Sequence, residues 1–247
     1  MREDISTRAA DATDLPALKA LWGSVFDDAP EDIDAYFDAY FAPELCAVAN
    51  IDAELAAMGF LMPVGALRVP GERELPCAMI YAVATRPDFR GRGAGLAVTR
   101  ALLETAKGQG FDVVALRPAT EELFEFYEKA GLRTSFCGFD FAPERAEAAL
   151  KASRKVTAGE YMARREALLR DIPHVAFDER ALSYAETLFG EGGGFFVDGD
   201  DCLAVDASGG GAVFKEYLAA DGVMPRGGRF GMSNAEMTDG YMGFAFD

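Results

Sequence analysis

Val83-Ala84-Thr85-Arg86-Pro87-Asp88-Phe89-Arg90-Gly91-Arg92-Gly93-Ala94-Gly95 opens as an extended run, breaks at Pro87 and passes into a turn with a glycine at every second position. Immediately after it, Leu96, Leu102, Leu103 and Ala106 recur at helical spacing. A strand, a glycine turn and a helix start therefore meet in one stretch. Gly91, Gly93 and Gly95 let the backbone turn tightly and come close to a ligand. The first N–H groups of the following helix have no intrahelical acceptor, and with the positive end of the helix dipole they suit phosphate oxygens. Arg90 and Arg92 add guanidinium groups, whose planar fork matches phosphate. The plain alternative is a glycine-rich connection that binds nothing.

Three phosphate-binding loops compete for this stretch. A dinucleotide fingerprint counted from Gly91 requires a third glycine where Leu96 stands, and Leu116 and Arg117 occupy the end of the next strand where an acidic residue is needed. A Walker loop requires Gly-Lys-Ser/Thr, which the stretch lacks. The pyrophosphate loop of acyl-CoA transferases is the third.

Outward from the turn, the pattern predicts a short strand at 5–10 and a helix capped by Asp14 with Leu15, Leu18, Leu21, Trp22, Val25 and Phe26 on one face. Pro30 opens a second helix through Ile33, Tyr36, Phe37 and Phe41. Extended runs follow at 45–51, 55–67 and 75–85, the last two separated by a Pro70-Gly71 turn. Gly108 and Gly110 end the helix after the glycine turn. A buried strand at 111–116, a helix at 121–130 closed by Gly131, and a strand at 132–141 complete this half.

The opening stretch resembles the main motif of the GNAT acetyltransferases, Arg/Gln-x-x-Gly-x-Gly/Ala after a strand. One strand and helix later, Phe126-Tyr127-Glu128-Lys129-Ala130-Gly131-Leu132 is similar to the second motif of that family. The resemblance covers about the first three-fifths of the chain. It implies a mixed, mostly antiparallel sheet flanked by helices, acetyl-CoA as co-substrate without a metal, and transfer of the acetyl group to a primary amine by direct attack. By position, Val83, Ala84 and Thr85 would offer main-chain groups to the pantetheine arm. Arg90, Gly91, Arg92, Gly93, Ala94, Gly95 and Leu96 would wrap the pyrophosphate. Tyr127 would sit beside the thioester sulfur as general acid, since a phenol of ordinary pKa matches a thiolate of similar basicity; a core aromatic is the bland reading. Two departures stand out. Met79-Ile80-Tyr81-Ala82-Val83 has no carboxylate where many members carry a glutamate base, and Thr120 stands where the second motif often has asparagine. An acyl-CoA sensor or scaffold without turnover is the alternative that the missing carboxylate favours.

The main boundary is expected near 141–143, dividing a catalytic domain at 1–142 from a second domain at 143–247. The second half reads as helix-rich at 145–170 with a break near 157–159. A helix near 180–189 follows, then strands at 195–197, 202–205 and 212–218, and an apolar tail at 237–246 whose run at 241–246 should be packed as a strand. The order of elements resembles a degenerate GNAT-like unit, as in tandem proteins of the Eis type, which would make this half a wall of the acceptor pocket. Gly192-Gly193-Gly194 and Gly209-Gly210-Gly211 read as turns, and His174, behind Pro173 at a helix-to-strand junction, as a structural histidine. The resemblance also draws attention to Asp247, whose side chain or terminal carboxylate would take the part of the missing base.

Half of the 247 residues are apolar, which suits a soluble globular chain, and Cys46, Cys77, Cys137 and Cys202 stand alone as small core residues in a reducing compartment. Isolated cysteines and a single histidine argue against a metal site. The start carries no apolar leader and no run is long enough to span a bilayer, so the expectation is a cytoplasmic protein without a membrane partner. A formal net charge of −17 repels nucleic acid and favours a cationic small-molecule or peptide amine as acceptor. Oligomeric state is not legible.

Overall fold

The computed structural model describes residues 4–138, 141–222, 228–237 and 239–244. The chain divides into two compact units, the first made of Met1–Pro63 and Pro76–Arg133, the second of Val64–Leu75 and Thr134–Asp247. Among the described residues no helix is long and apolar enough to cross a membrane.

The first unit runs β1 (Ile5–Ala9), α1 (Leu15–Phe26), α2 (Pro30–Tyr40), β2 (Cys46–Ile51), β3 (Glu54–Arg68), β4 (Leu75–Thr85), α3 (Ala94–Gly108), β5 (Val113–Leu116) and α4 (Glu121–Glu128). Its strands lie in the order β1-β2-β3-β4-β5. The β1–β2 and β2–β3 pairs are antiparallel and β4–β5 is parallel. Helix α3 lies over this sheet because Gly59 of β3 leaves room for it. A Cβ there would stand 3.0 Å from Val98 and 3.1 Å from Leu102. Helices α1 and α2 bury Leu18, Leu21, Trp22, Ile33, Tyr36 and Phe37. Trp22 meets Tyr36 at 4.9 Å between ring centroids, and Tyr81 of β4 joins the same cluster 5.3 Å from Tyr36.

Two expectations for this region are corrected. Asp14 stands at the N-cap of α1 but its carboxylate does not cap that helix. It accepts instead from the Asp11 N–H at 2.8 Å and pairs with Arg8 at 2.6 Å, closing the short turn before the helix. Phe26 leaves the buried face and is 40% exposed, because the helix ends there with Asp27 at φ 59°.

The second unit runs β6 (Arg133–Cys137), α5 (Pro143–Ala152), β7 (Arg154–Val156), α6 (Ala158–Leu169), β8 (His174–Phe177), α7 (Glu179–Leu188), β9 (Gly194–Asp198), β10 (Asp201–Asp206), β11 (Val213–Leu218), β12 (Arg229–Ser233) and β13 (Gly240–Tyr241). One set of strands is ordered β12-β6-β13-β8, with β13 parallel to both neighbours, and residues 65–68 of β3 pair antiparallel with β8. A second, antiparallel sheet is ordered β11-β10-β9-β7. The break expected near 157–159 holds the N-cap of α6, where the Thr157 hydroxyl accepts from the Glu160 N–H at 3.2 Å. Strand β8 starts at His174, where a helix-to-strand junction was expected, whereas strands β7 and β12 were not expected. Both of these are short, and Arg-Lys-Val and a run containing Gly231 carry little strand signal.

The core of the second unit is built around a charge. Arg165 and Glu216 are both fully buried and pair at 3.0 Å. Tyr241 donates to Glu216 at 2.6 Å, Tyr161 donates to the same carboxylate, and Arg165 donates to the Val175 carbonyl at 2.8 Å. Its guanidinium also lies 5.1 Å from the Phe177 ring centre. Burial next to this carboxylate holds the Tyr161 and Tyr241 phenols well above the ordinary range.

Candidate active site

Strand β4 and its sequel build the site. Its pairing with β5 covers Cys77–Val113, Ala78–Val114 and Met79–Ala115, while β4 itself runs on to Thr85. Main-chain groups beyond Met79 are therefore not used by β5. In that stretch Ala82 adopts φ 47°, a left-handed conformation that residues with a Cβ rarely take. It interrupts the regular pleat and re-aims the residues that follow, Val83 and Thr85, both half-buried. Ala84 points into the core and is fully buried.

The chain then turns through Pro87–Phe89 and enters α3 behind Gly93. Gly91 and Gly93 sit at φ 76° and 93°. No side chain caps α3, and no acidic residue lies in its first turn. Its first helical bond runs from the Ala97 N–H to the Gly93 carbonyl at 3.0 Å, so the first-turn N–H groups before it face out of the helix end. An uncapped helix start of this kind is a cradle that can receive an anion.

The arginines around the cradle have separate jobs. Arg86 pairs with Asp88 at 2.6 Å and Glu54 at 3.0 Å, and its own N–H donates to the Ala56 carbonyl at 2.9 Å. That guanidinium holds the Asp88 carboxyl below the usual range. Arg86 is thus committed to the turn. Phe89 is buried beneath it, with the Arg86 guanidinium 4.5 Å from the ring centre and that of Arg92 4.8 Å from it. Arg90 is exposed and its Nε donates to the Thr85 carbonyl at 3.4 Å. Arg92 lies 4.0 Å from Asp52 of the β2–β3 hairpin.

Tyr127 lies on α4, which is tied to α3. Arg100 donates to the Lys129 carbonyl at 2.8 Å, and the Phe126 ring comes within 3.5 Å of where a Cβ on Gly95 would stand. The motif tyrosine and the glycine turn are thereby fixed to one scaffold. Tyr127 is 9% exposed and meets Phe126 edge-on at 4.9 Å. Burial pushes its phenol up to about 12. The ordinary pKa expected from the sequence is corrected on that ground. The proton stays on oxygen throughout the physiological range.

Asp247 lies outside the described residues. His174 is structural, with Nε2 3.0 Å from Glu166 and Nδ1 2.7 Å from the Ile172 carbonyl. Cys46 and Cys77 are buried and their thiols are pushed up to about 12, which makes them inert core residues. The second unit carries an open groove of about 1120 Å³ floored by Val156, Phe177 and Leu182. Its two cations are already used, Arg154 by Glu160 and Lys155 by the Gly193 carbonyl. Sequence reasoning did not single out Ala82, Phe89 or Asp52. Nothing in an alanine inside an apolar strand signals a left-handed residue, and Asp52-Ala53 lacks the glycine that marks most tight hairpins.

A family model described as an acetyltransferase (GNAT) domain matches residues 6–134. Among solved structures, the chain is similar to a GCN5-related N-acetyltransferase from Kribbella flavida, at 22% identity and a TM-score of 0.63, covering 88% of this chain and 58% of that one. A GCN5-related N-acetyltransferase from Anabaena variabilis is similar at 16% identity and a TM-score of 0.63, over 88% and 59% of the two chains. Eis1 from Mycobacterium abscessus is similar at 13% identity and a TM-score of 0.58, over 87% and 59%. The chain thus spans somewhat under three-fifths of the length of these structures, and the likeness is one of fold. No curated protein sequence matches the chain significantly.

Proposed function

The chain belongs to the GNAT acetyltransferase family, and from that premise we propose that it is an acetyl-CoA-dependent N-acetyltransferase acting on a primary amine. The observation that carries this reading is the uncapped start of α3 behind two left-handed glycines, beside a strand whose end is not paired to β5. Val83, Ala84 and Thr85 bind the pantetheine arm. Arg90, Gly91, Arg92, Gly93, Ala94, Gly95 and Leu96 enclose the pyrophosphate. The co-substrate supplies an activated acyl group, and the protein's own part is to position it and manage one proton.

Tyr127 is the donor to the departing sulfur. Its buried phenol is raised to about 12, so it holds its proton until negative charge develops against it. A thiol ordinarily ionises near 8.5, so donation to a free thiolate is uphill from a phenol at about 12. The hydroxyl therefore acts first as a hydrogen bond to the sulfur. The amine attacks in its neutral form. Strand β4 has no carboxylate between Met79 and Val83 to deprotonate it, and we assign that role to a carboxyl group of Asp247. The net charge of −17 supports a cationic acceptor, either a small molecule or a peptide. Residues 1–142 are proposed as the catalytic domain and residues 143–247 as a degenerate unit of the same kind. The cytoplasmic setting is part of this proposal.

The missing β4 carboxylate favours a second reading, a sensor that binds acyl-CoA without turnover. A thiol-release assay with acetyl-CoA across a panel of small amines and peptides separates the two. Amine-dependent release supports the enzyme. Tight CoA binding with no release from any amine supports the sensor. Deleting Asp247 tests the base: wild-type rates across pH from that variant remove it from the mechanism.

A further inference from the structure

We propose that Asp52 occupies the place of a cofactor phosphate at Arg92, and so sets the affinity for the phosphate-bearing part of the co-substrate without affecting its pantetheine arm. The inference rests on the reading of the glycine turn as a pyrophosphate site.

The β2–β3 hairpin turns through Asp52 and Ala53 at φ 51° and 66°. The Asp52 Oδ2 lies 4.0 Å from Arg92 Nη2. The Arg86 charge is answered at close range by Asp88 and Glu54, and its guanidinium is fixed over Phe89. Arg92 rests on the same ring, acts on the Asp88 carboxylate as well, and has the Asp52 carboxylate at the limit of ion-pair reach. The Asp52 side chain is 79% exposed, so its attraction for Arg92 is screened and weak. Phosphate in the cradle offers Arg92 hydrogen-bonded, charge-assisted contacts that a carboxylate 4.0 Å away does not make. Binding therefore exchanges one partner of Arg92 for a better one, and the Asp52 charge left beside the phosphate opposes it. Asp52 orients Arg92 before binding and limits affinity after it. Asparagine accepts a left-handed φ as readily as aspartate, so Asp52→Asn keeps the hairpin and removes only the charge.

Calorimetric titration of the full chain with CoA and with acetyl-pantetheine, which has no phosphate, tests this. Asp52→Asn and Asp52→Gly are each expected to bind CoA about two- to fivefold tighter, the size of an exposed ion-pair effect. Both should show a steeper loss of CoA affinity with salt and unchanged affinity for acetyl-pantetheine. Arg92→Ala should weaken CoA binding and reduce the gain from Asp52→Asn when the two are combined. If Asp52→Asn leaves CoA affinity unchanged, or shifts both ligands equally, the exchange is overturned even where Arg92→Ala weakens binding. If Arg92→Ala has no effect on CoA, the phosphate reading of the turn falls with it.

Discussion

The Thr85 hydroxyl stands 2.9 Å from the point that a Cβ on Gly95 would occupy, so the end of β4 and the first turn of α3 touch without room for one methyl group. Gly95→Ala should therefore push the two apart. A destabilisation of about 1–3 kcal/mol is expected, the usual range for overpacking. CoA affinity should fall with it. Thr85→Ala in the same chain should restore much of the stability, since it removes the clashing oxygen. Thermal melts of the single and double variants decide the matter. An undisturbed Gly95→Ala protein would mean that the contact relaxes freely.

Tyr127→Phe should lower turnover by about a hundredfold to ten-thousandfold, the range for a positioned acid, while CoA affinity stays near that of the wild type. The phenol also leaves a mark on stability. Its pKa is raised by burial to about 12 in the folded chain, against 10 for an unburied tyrosine. Stability from the neutral phenol is then complete below pH 10 and is lost as pH climbs toward 12. Tyr127→Phe should lack this part of the alkaline decline, which denaturant titrations between those pH values would detect.

Ala82 at φ 47° stores backbone strain inside β4. Ala82→Gly relieves a strain of about 1–2 kcal/mol and loosens the unfolded chain by a smaller amount, so it should be neutral or slightly stabilising. Ala82→Val places a β-branched residue in the same conformation and should lower both stability and CoA affinity. The denaturant midpoint should fall for the valine variant and hold or rise slightly for the glycine variant. A valine variant as stable as the wild type would show that this backbone is not held left-handed.

The Arg165–Glu216 pair predicts an asymmetry. Arg165→Met alone leaves a buried carboxylate that two phenols only partly satisfy, and it should destabilise the chain by about 3–5 kcal/mol. Arg165→Met with Glu216→Leu removes both charges and should recover much of that loss. Melting temperatures of the singles and the double test it, and additive losses would contradict the pairing.

The glycine turn was legible because its signals are local. Proline, alternating glycines and the helical leucine spacing each act over a few residues, and α3 begins where they place it. Helix α2 was legible for the same reason, with Pro30 in its first turn. The Arg165–Glu216 pair was hidden because its members lie far apart in sequence and read individually as surface charges. Tyr127 could be picked from its motif, yet its raised pKa comes from burial, which no spacing records. A closing strand was legible as the apolar run at 241–246, but its extent was not: β13 covers the two residues Gly240–Tyr241, and Gly243 at φ 85° turns the chain soon after.

That two-residue strand bears on how the protein is made. Gly240 pairs with Phe136 across roughly a hundred residues of chain, and β13 lies between β6 and β8. The sheet of the second unit cannot close until residue 241 has left the ribosome. Until then β6 and β8 present open edges, Arg165 lacks its Met242 acceptor, and Glu216 lacks the Tyr241 hydroxyl. The second unit must therefore wait as an incomplete intermediate during synthesis. In that interval its apolar strands are exposed to mispairing and to chaperones, so conditions that slow elongation near residue 240 should lower the yield of folded protein.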